Sequence, residues 1–170
     1  GTAAQTPGSD PGRRPEHRAS PRSLDDLLVL ELTSSHLAFC NASPNVAVVT
    51  CLWPDHVELH GSVEAYIAAK ERIVRHQRPD DRVVVNADDP AAARLAELTP
   101  AERWMFSAES EVERGAFLRG GALVARTPAG DHGLGEAPGA AGGRRQAALA
   151  ATAAVLAGGA HPERLVGAVD

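Results

Sequence analysis

Short apolar runs separated by polar, glycine- and proline-containing segments predict a series of strands along this chain. Continuous apolar runs of this length are typical of strands that are buried on both faces, as in a parallel sheet. The predicted strands span residues 27–30, 46–51, 82–86 and 104–108, and residues 116–126 form a predicted hairpin divided by two consecutive glycines.

Helices are predicted between these strands. The clearest one follows Ser62, a good N-cap residue, because Val63, Tyr66, Ile67, Ile73 and Val74 then form one apolar stripe at helical spacing. Shorter helices are predicted at 33–41, 91–98, 147–157 and 163–169, a Gly/Pro loop at 127–143 and an irregular lead-in at 1–23. The alternation of strand and helix predicts an α/β fold, three layers with a mostly parallel sheet flanked by helices.

Lys70 occupies a position on the apolar stripe of the helix that follows Ser62. The stem of such a lysine can pack at the edge of the stripe while its ammonium group stays in water, and the pattern by itself favours this arrangement. In the alternative, burial lowers the pKa of the amine, which then reacts with carbon dioxide to give a carbamate. A carbamate is an anion that can bind a metal ion, so Lys70 is a candidate site residue.

Acids and imidazoles cluster just before this helix. Asp55, His56 and His60 lie between Pro54 and Gly61, after a predicted strand, where open α/β sheets place ligands. They could form a zinc hydrolase site, although no H-E-x-x-H motif is present, or they could be ordinary core and surface residues. Glu31 ends the first apolar run and is either a site carboxylate or a solvated one.

Asn86 and Asp88, after the third predicted strand, could contact a ligand, but ordinary turn hydrogen bonding explains them well enough.

Composition excludes several classes of function. The 170 residues suffice for about one domain with a core, since 44% are hydrophobic. Seventeen basic against 22 acidic residues give a net charge of −5, which does not favour a nucleic-acid partner. Two cysteines indicate no disulfide framework and suit a reducing cytoplasm. The sequence shows no signal peptide and no apolar run of the ~20 residues that a membrane span needs, so we expect a cytoplasmic protein without a membrane partner.

Four blocks of the sequence, taken together in order and spacing, resemble the central domain of the Mur ligases. They are ELTSSHL at 31–37, WPDHVELHGS at 53–62, YIAAK at 66–70 and VNADD at 85–89. The resemblance covers about residues 28–90 and is greatest to the members that add D-glutamate. Residues 24–170 are therefore interpreted as part of such a domain.

The resemblance implies an ATP-dependent ligase of peptidoglycan synthesis. In such an enzyme ATP phosphorylates the carboxylate of UDP-N-acetylmuramoyl-L-alanine, and the amine of D-glutamate attacks the acyl phosphate. Carried over to this sequence, Glu31 and His56 correspond to magnesium ligands. Lys70 corresponds to a carbamylated lysine that helps to hold a second magnesium ion, an assignment that reverses the preference stated above. Two metal ions would neutralise the charge that develops in phosphoryl transfer. The expected cofactors are thus ATP and Mg²⁺, and the expected form is a monomer.

The sequence also departs from the family pattern. It contains no G-x-x-x-x-G-K-[ST] phosphate loop, and Arg145 and Gln146 stand where the family has His and Asn at a helix that meets the nucleotide. Gln146 remains a weak candidate for nucleotide binding. We therefore expect a ligase fragment, without the phosphate loop and the C-terminal domain, that is inactive alone. The alternative is a degenerate homologue that serves as a binding or scaffold module.

Overall fold

The computed structural model describes residues 27–55, 57–139 and 141–168, and the chain divides into two units, residues 1–31 and 32–170. In the first unit, residues 27–31 form no regular secondary structure, and Leu28 and Val29 are 81% and 88% exposed. The prediction of a buried strand at 27–30 is therefore wrong. A strand needs a hydrogen-bonded neighbour as well as an apolar run, and the structure shows no such pairing for these residues. The predicted lead-in at 1–23 lies outside the described residues.

The second unit contains the strands and helices. Its strands are β1 (Val46–Val49), β2 (Arg82–Asn86), β3 (Glu102–Ser107), β4 (Gly115–Arg119), β5 (Ala122–Thr127) and β6 (Gly130–Glu136). Its α-helices are α1 (Ser34–Leu37), α2 (Val57–His60), α3 (Val63–Arg75), α4 (Pro90–Leu95) and α5 (Arg144–Ala157), and two 3-10 turns span Ala141–Gly143 and Pro162–Leu165. None of the described helices is long and apolar enough to cross a membrane.

The strands form one six-stranded sheet in the order β1-β2-β3-β4-β5-β6. The first four strands are parallel, whereas β5 and β6 are added in antiparallel pairs. Helices cover both faces. On one face α3 and α4 pack on a cluster that includes Val83, Val85 and Leu95, and on the other α5 packs on one that includes Phe106 and Leu149. This is the predicted three-layer, mostly parallel α/β fold.

The local signals for the helices α3 and α4 are the ones that the sequence predicts. The Ser62 hydroxyl accepts a hydrogen bond from the Ala65 amide, and Asp89 caps α4 with Pro90 at its first position. In α3 the residues Tyr66, Ala69 and Val74 are buried, in keeping with the predicted stripe.

Two predictions in the C-terminal half are wrong. Residues 127–143 are predicted as a loop, but Gly130–Glu136 within that range form strand β6. The three glycines of β6 have a low strand propensity, and pairing with β5 overrides this low propensity. The helix predicted at 163–169 is a 3-10 turn, Pro162–Leu165. It ends because Val166 is extended and Gly167 has a φ of +71°.

Candidate functional site

The carboxyl ends of three parallel strands lie side by side at one edge of the sheet. Val49 at the end of β1 pairs with Val85, and Asn86 at the end of β2 pairs with Phe106 in β3. The segments that leave these strands, residues 50–53 and 87–89, are therefore neighbours. Such an edge is where open α/β sheets bind ligands, so it is the natural place to look for a functional site.

Side-chain hydrogen bonds connect these segments. The Asn86 amide donates to the carbonyl oxygen of Thr50 at 3.0 Å. The Asp89 carboxylate accepts the amide of Leu52 at 2.8 Å, and it also caps α4 by accepting the amides of Ala91 and Ala92. These bonds hold the loop that follows β1 against the start of α4, at the carboxyl edge of the sheet.

Asp88 forms hydrogen bonds with residues at the end of the neighbouring strand β3. Its carboxylate accepts the amide of Ala108 at 2.7 Å and the hydroxyl of Ser107, which is completely buried. Asn86 accepts the amide of Asp88 as well as donating to Thr50. These bonds agree with the sequence-based preference for turn hydrogen bonding over ligand contact at both residues.

Tyr66 joins helix α3 to the loop after β1. Its side chain is 5% exposed, and its hydroxyl donates to the carbonyl oxygen of Trp53 at 2.8 Å. Burial raises the pKa of this phenol, and the nearby Cys51 and Asp55 raise it further because a phenolate would be repelled by negative charge. Tyr66 is thus held protonated, as a hydrogen-bond donor.

Lys70 lies one helical turn after Tyr66 and is half-buried. Its Nζ atom is 5.9 Å from the centroid of the Tyr66 ring, a distance at which an ammonium group is attracted to the face of the ring. The residue therefore borders the buried stripe, with part of its side chain accessible. This position is compatible with both arrangements that the sequence allows, a packed stem with a solvated ammonium group and an amine that carries a carbamate.

His60 contacts two other elements. Its Nε2 atom lies 2.9 Å from the hydroxyl oxygen of Ser34 at the start of α1. Its ring meets the Tyr66 ring edge-on, with the centroids 5.6 Å apart and the planes at 80°. The hydrogen bond to Ser34 engages one of the two nitrogens with which His60 could bind zinc.

The structure locates the other predicted site residues only in part. Glu31 is exposed and belongs to the unit that ends there, and His56 lies outside the described residues. Gln146 is exposed in the first turn of α5, whose preceding Gly143 adopts a left-handed conformation without a side-chain cap. The neighbouring Arg145 donates to the carbonyl oxygen of Pro138 at 3.3 Å. The convergence of Glu31, His56 and Lys70 therefore stays a prediction.

A metal ion does not find a complete set of ligands within the described residues. In residues 27–55, 57–139 and 141–168, no group of three or more His, Cys, Asp or Glu side chains could hold one. The predicted magnesium ligands include His56, outside these ranges, and a carbamate, which an unmodified lysine lacks. The described residues therefore do not by themselves fit a metal.

The sequence pattern does not indicate that Ser34 or the hydroxyl of Tyr66 is part of this arrangement. It predicts Tyr66 on the apolar stripe, where its ring does lie. The available signal was that Tyr66 is the one tyrosine of the chain and that a buried tyrosine usually needs a partner for its hydroxyl. Ser34 gave no signal, because its partner is 26 residues away.

Comparison with known proteins relates this chain to the Mur ligases. The sequence profile of the Mur ligase middle domain matches residues 19–124, which include Glu31, His56 and Lys70 but not Gln146. UDP-N-acetylmuramoylalanine–D-glutamate ligase from Acetivibrio thermocellus is 41% identical over 101 residues, 59% of this chain and 22% of the relative. The ligase of the same name from a Roseiflexus species is 43% identical over 109 residues, 58% of this chain and 23% of the relative. The aligned part thus spans less than a quarter of these relatives.

Solved structures show a similar fold. A UDP-N-acetylmuramoyl-L-alanyl-D-glutamate–2,6-diaminopimelate ligase superposes with a TM-score of 0.59 and 22% identity, over 81% of this chain and 31% of the other. The UDP-N-acetylmuramoylalanyl-D-glutamyl-2,6-diaminopimelate–D-alanyl-D-alanyl ligase from Acinetobacter baumannii superposes with a TM-score of 0.55 and 24% identity. The superposition covers 75% of this chain and 28% of the other. At these identities the likeness concerns the fold alone.

Proposed function

Because this chain belongs to the Mur ligase middle-domain family, we propose that it is part of an ATP-dependent ligase that adds D-glutamate to UDP-N-acetylmuramoyl-L-alanine. The observation that carries the proposal is the identity of 41% and 43% to ligases named for this reaction, over about a hundred residues. The profile match over residues 19–124, which includes Glu31, His56 and Lys70, supports the proposal.

In this proposal ATP supplies the phosphoryl group that converts the carboxylate of the nucleotide-linked substrate into an acyl phosphate. The amine of D-glutamate then attacks the acyl carbon, the amide bond forms, and inorganic phosphate and a proton leave. The sequence holds no G-x-x-x-x-G-K-[ST] phosphate loop, so a phosphate cradle of that kind is not among the contributions of these residues. The reaction is proposed to take place in the cytoplasm, as a step of peptidoglycan synthesis, with the protein as a monomer.

The proposed contribution of this chain is Lys70 and the structure around it. As a neutral amine, Nζ attacks the carbon of carbon dioxide. The N–C bond forms, one C=O π bond breaks and leaves its electron pair on oxygen, and the amine proton leaves to water. The product is a carbamate whose two oxygens suit Mg²⁺, which prefers oxygen ligands. Half-burial next to Tyr66 supports this role, because it holds the side chain at the border of the buried stripe and leaves part of it accessible to carbon dioxide.

Glu31 and His56 are the proposed partners of that carbamate in holding magnesium, on the strength of the resemblance and the profile match. A bound magnesium ion would supply electrostatic stabilisation of phosphate charge. Gln146, outside the profile match, is retained as a weaker candidate for contact with the nucleotide.

A segment exchange tests the proposed function. Residues 19–124 of this chain replace the matching segment of the Acetivibrio thermocellus ligase, and the release of ADP is measured with the nucleotide substrate and D-glutamate. We expect a folded chimera that releases ADP in a D-glutamate-dependent manner. Lys70→Ala in the chimera lowers kcat/KM by about a hundredfold or more, since a metal ligand is lost.

Two results would contradict the proposal. The first is a chimera that folds, binds ATP and yet releases no ADP with D-glutamate. The second is an active chimera in which Lys70→Ala has no effect, which would remove the proposed role of Lys70. Leu98→Ala in the chimera, at an exposed position of the exchanged segment, serves as the control and should leave kcat/KM unchanged.

A further inference from the structure

His60 connects three helices around the candidate site. Its Nε2 atom pairs with the hydroxyl of Ser34 in α1, at 2.9 Å, and its ring rests edge-on against Tyr66 in α3. His60 itself is the last residue of α2. Helix α2 buries none of its own residues, and these two contacts link its end to α1 and α3.

Both contacts are made with buried groups. Ser34 is 8% exposed and Tyr66 is 5% exposed. A buried hydroxyl needs a hydrogen-bond partner, and in Ser34 the hydroxyl has one in His60, 26 residues further along the chain. Removal of the imidazole would therefore leave the buried Ser34 hydroxyl without this hydrogen bond, and this contact between α1 and α2 would be lost.

Tyr66 extends this connection to Lys70. Its hydroxyl holds the carbonyl oxygen of Trp53 in the loop after β1, and its ring lies 5.9 Å from Nζ of Lys70. The side chain of Tyr66 therefore contacts His60, Trp53 and Lys70 and links these three residues. A shift of this ring would change how far the Lys70 amine is shielded from water.

We propose that His60, anchored by Ser34, is a positioning residue that holds the Tyr66 ring and thereby sets the extent to which Lys70 becomes carbamylated. The proposal rests on the proposed function, because it takes the Lys70 carbamate as its starting point. His60 does not touch the reacting amine in this arrangement. It acts through Tyr66, whereas a residue of purely structural importance would change stability and leave the carbamylated fraction of folded protein unaltered.

The test measures the carbamate directly in the full chain. Folded protein is equilibrated with ¹³C-bicarbonate at fixed pH, and the carbamate carbon is quantified by NMR for the original chain and for Lys70→Arg, which identifies the signal. The variants are Ser34→Ala, His60→Phe and their combination. Ser34→Thr keeps the hydroxyl, and Leu59→Ala changes an exposed residue next to His60.

We expect Ser34→Ala and His60→Phe each to lower the carbamylation equilibrium constant by about threefold to tenfold, the effect of one ordinary hydrogen bond. The combined variant should lose no more than the larger single change, because both break the same contact. Ser34→Thr and Leu59→Ala should stay close to the original chain. Circular dichroism and thermal unfolding confirm that each sample is folded.

The outcomes separate this inference from the proposed function. If the original chain shows no carbamate at all, the role proposed for Lys70 fails and this inference fails with it. If the original chain is carbamylated and the Ser34 and His60 variants match it, the positioning role alone is overturned. Should His60→Phe fail to fold, Ser34→Ala against Ser34→Thr decides the matter, since each changes only one small side chain.

Discussion

At the scale of single residues, the sequence could identify Lys70 but not its environment. A lysine on the apolar stripe of a helix is visible in the spacing of neighbours, and the structure finds it half-buried beside Tyr66. The hydrogen bond from Tyr66 to Trp53 and the pair formed by His60 and Ser34 join residues that are 13 and 26 positions apart. Such contacts depend on tertiary packing, which periodicity does not encode.

Substitution of Lys70 separates its role in the site from its role in the fold. Lys70→Met keeps an unbranched side chain at the edge of the stripe, so we expect the free energy of unfolding to change by less than about 1 kcal/mol. The ¹³C-carbamate signal should disappear completely. Tyr66→Ala is the contrasting variant, because it empties buried space and should cost about 3–5 kcal/mol. Urea unfolding gives both values, and a large loss of stability in Lys70→Met would contradict the account.

Asp89 holds the loop after β1 against the start of α4. Asp89→Ala removes the cap of α4 and leaves the amide of Leu52 without its acceptor, so we expect a loss of about 2–4 kcal/mol in the free energy of unfolding. Asp89→Asn keeps a capping oxygen and should cost about 1 kcal/mol. Chemical denaturation of both variants tests this order, and equal losses would contradict it, because only Asp89→Asn retains a capping oxygen.

At the scale of elements, the sequence predicts those whose signals are local. The cap and stripe of α3 and the Asp-Pro start of α4 both appear where expected. The sequence does not predict strand β6, because Gly130, Gly133 and Gly135 interrupt its alternation of polar and apolar residues. Only Asp131, His132 and Leu134 follow that alternation. Its partner β5 supplies the hydrogen bonds that its own sequence does not favour.

Gly115 shows how one position limits an element. It begins β4 with a φ of +131°, and a Cβ atom there would overlap the carbonyl oxygen of Met105 in β3. We expect Gly115→Ala to lower the free energy of unfolding by about 3 kcal/mol or more, because both backbone strain and overlap must be relieved. Gly120→Ala is the matched control: its φ is also positive, at +58°, but nothing lies near its Cβ position, so it should cost about 1 kcal/mol. Equal thermal shifts in the two variants would refute this reasoning.

At the scale of the whole molecule, the sequence predicted the fold class but not every member of the sheet. The alternation of strands and helices was sufficient for three layers, and the two apolar clusters on either side of the sheet confirm it. The run at 27–30 is as apolar as any strand, yet it is exposed. An apolar sequence indicates that a segment can be buried. Whether another segment packs against it depends on the tertiary structure.

Four charged residues on the antiparallel side of the sheet make the stability of the molecule depend on pH. Hydrogen bonds from Arg119, and then from Arg126, lower the pKa of Glu111 from 4.5 to about 2. Hydrogen bonds from Arg126 and Arg119 likewise hold the pKa of Asp131 well below its ordinary value of 3.8. A carboxyl group whose pKa is lower in the folded state contributes stability that is present above the unfolded pKa and is lost as the pH falls towards the folded one.

We therefore expect the thermal midpoint to be insensitive to this network above about pH 5 and to fall between about pH 4.5 and pH 2. Glu111→Gln should reduce the slope of that fall, because one of the two titrating carboxyl groups is gone. Glu109→Gln, at an exposed neighbouring position, should leave the slope unchanged. Thermal scans across this range decide the point, and identical slopes in all three proteins would count against the network.

The proposal that Glu31, His56 and Lys70 together hold magnesium is best tested by a crystal structure of the chain with magnesium and bicarbonate. We expect a carbamate on Nζ of Lys70 and a magnesium ion with oxygen ligands at about 2.0–2.1 Å. Glu31 and His56 should lie around the same site. An unmodified Lys70 in solvent, with Glu31 and His56 on separate surfaces, would contradict the claim.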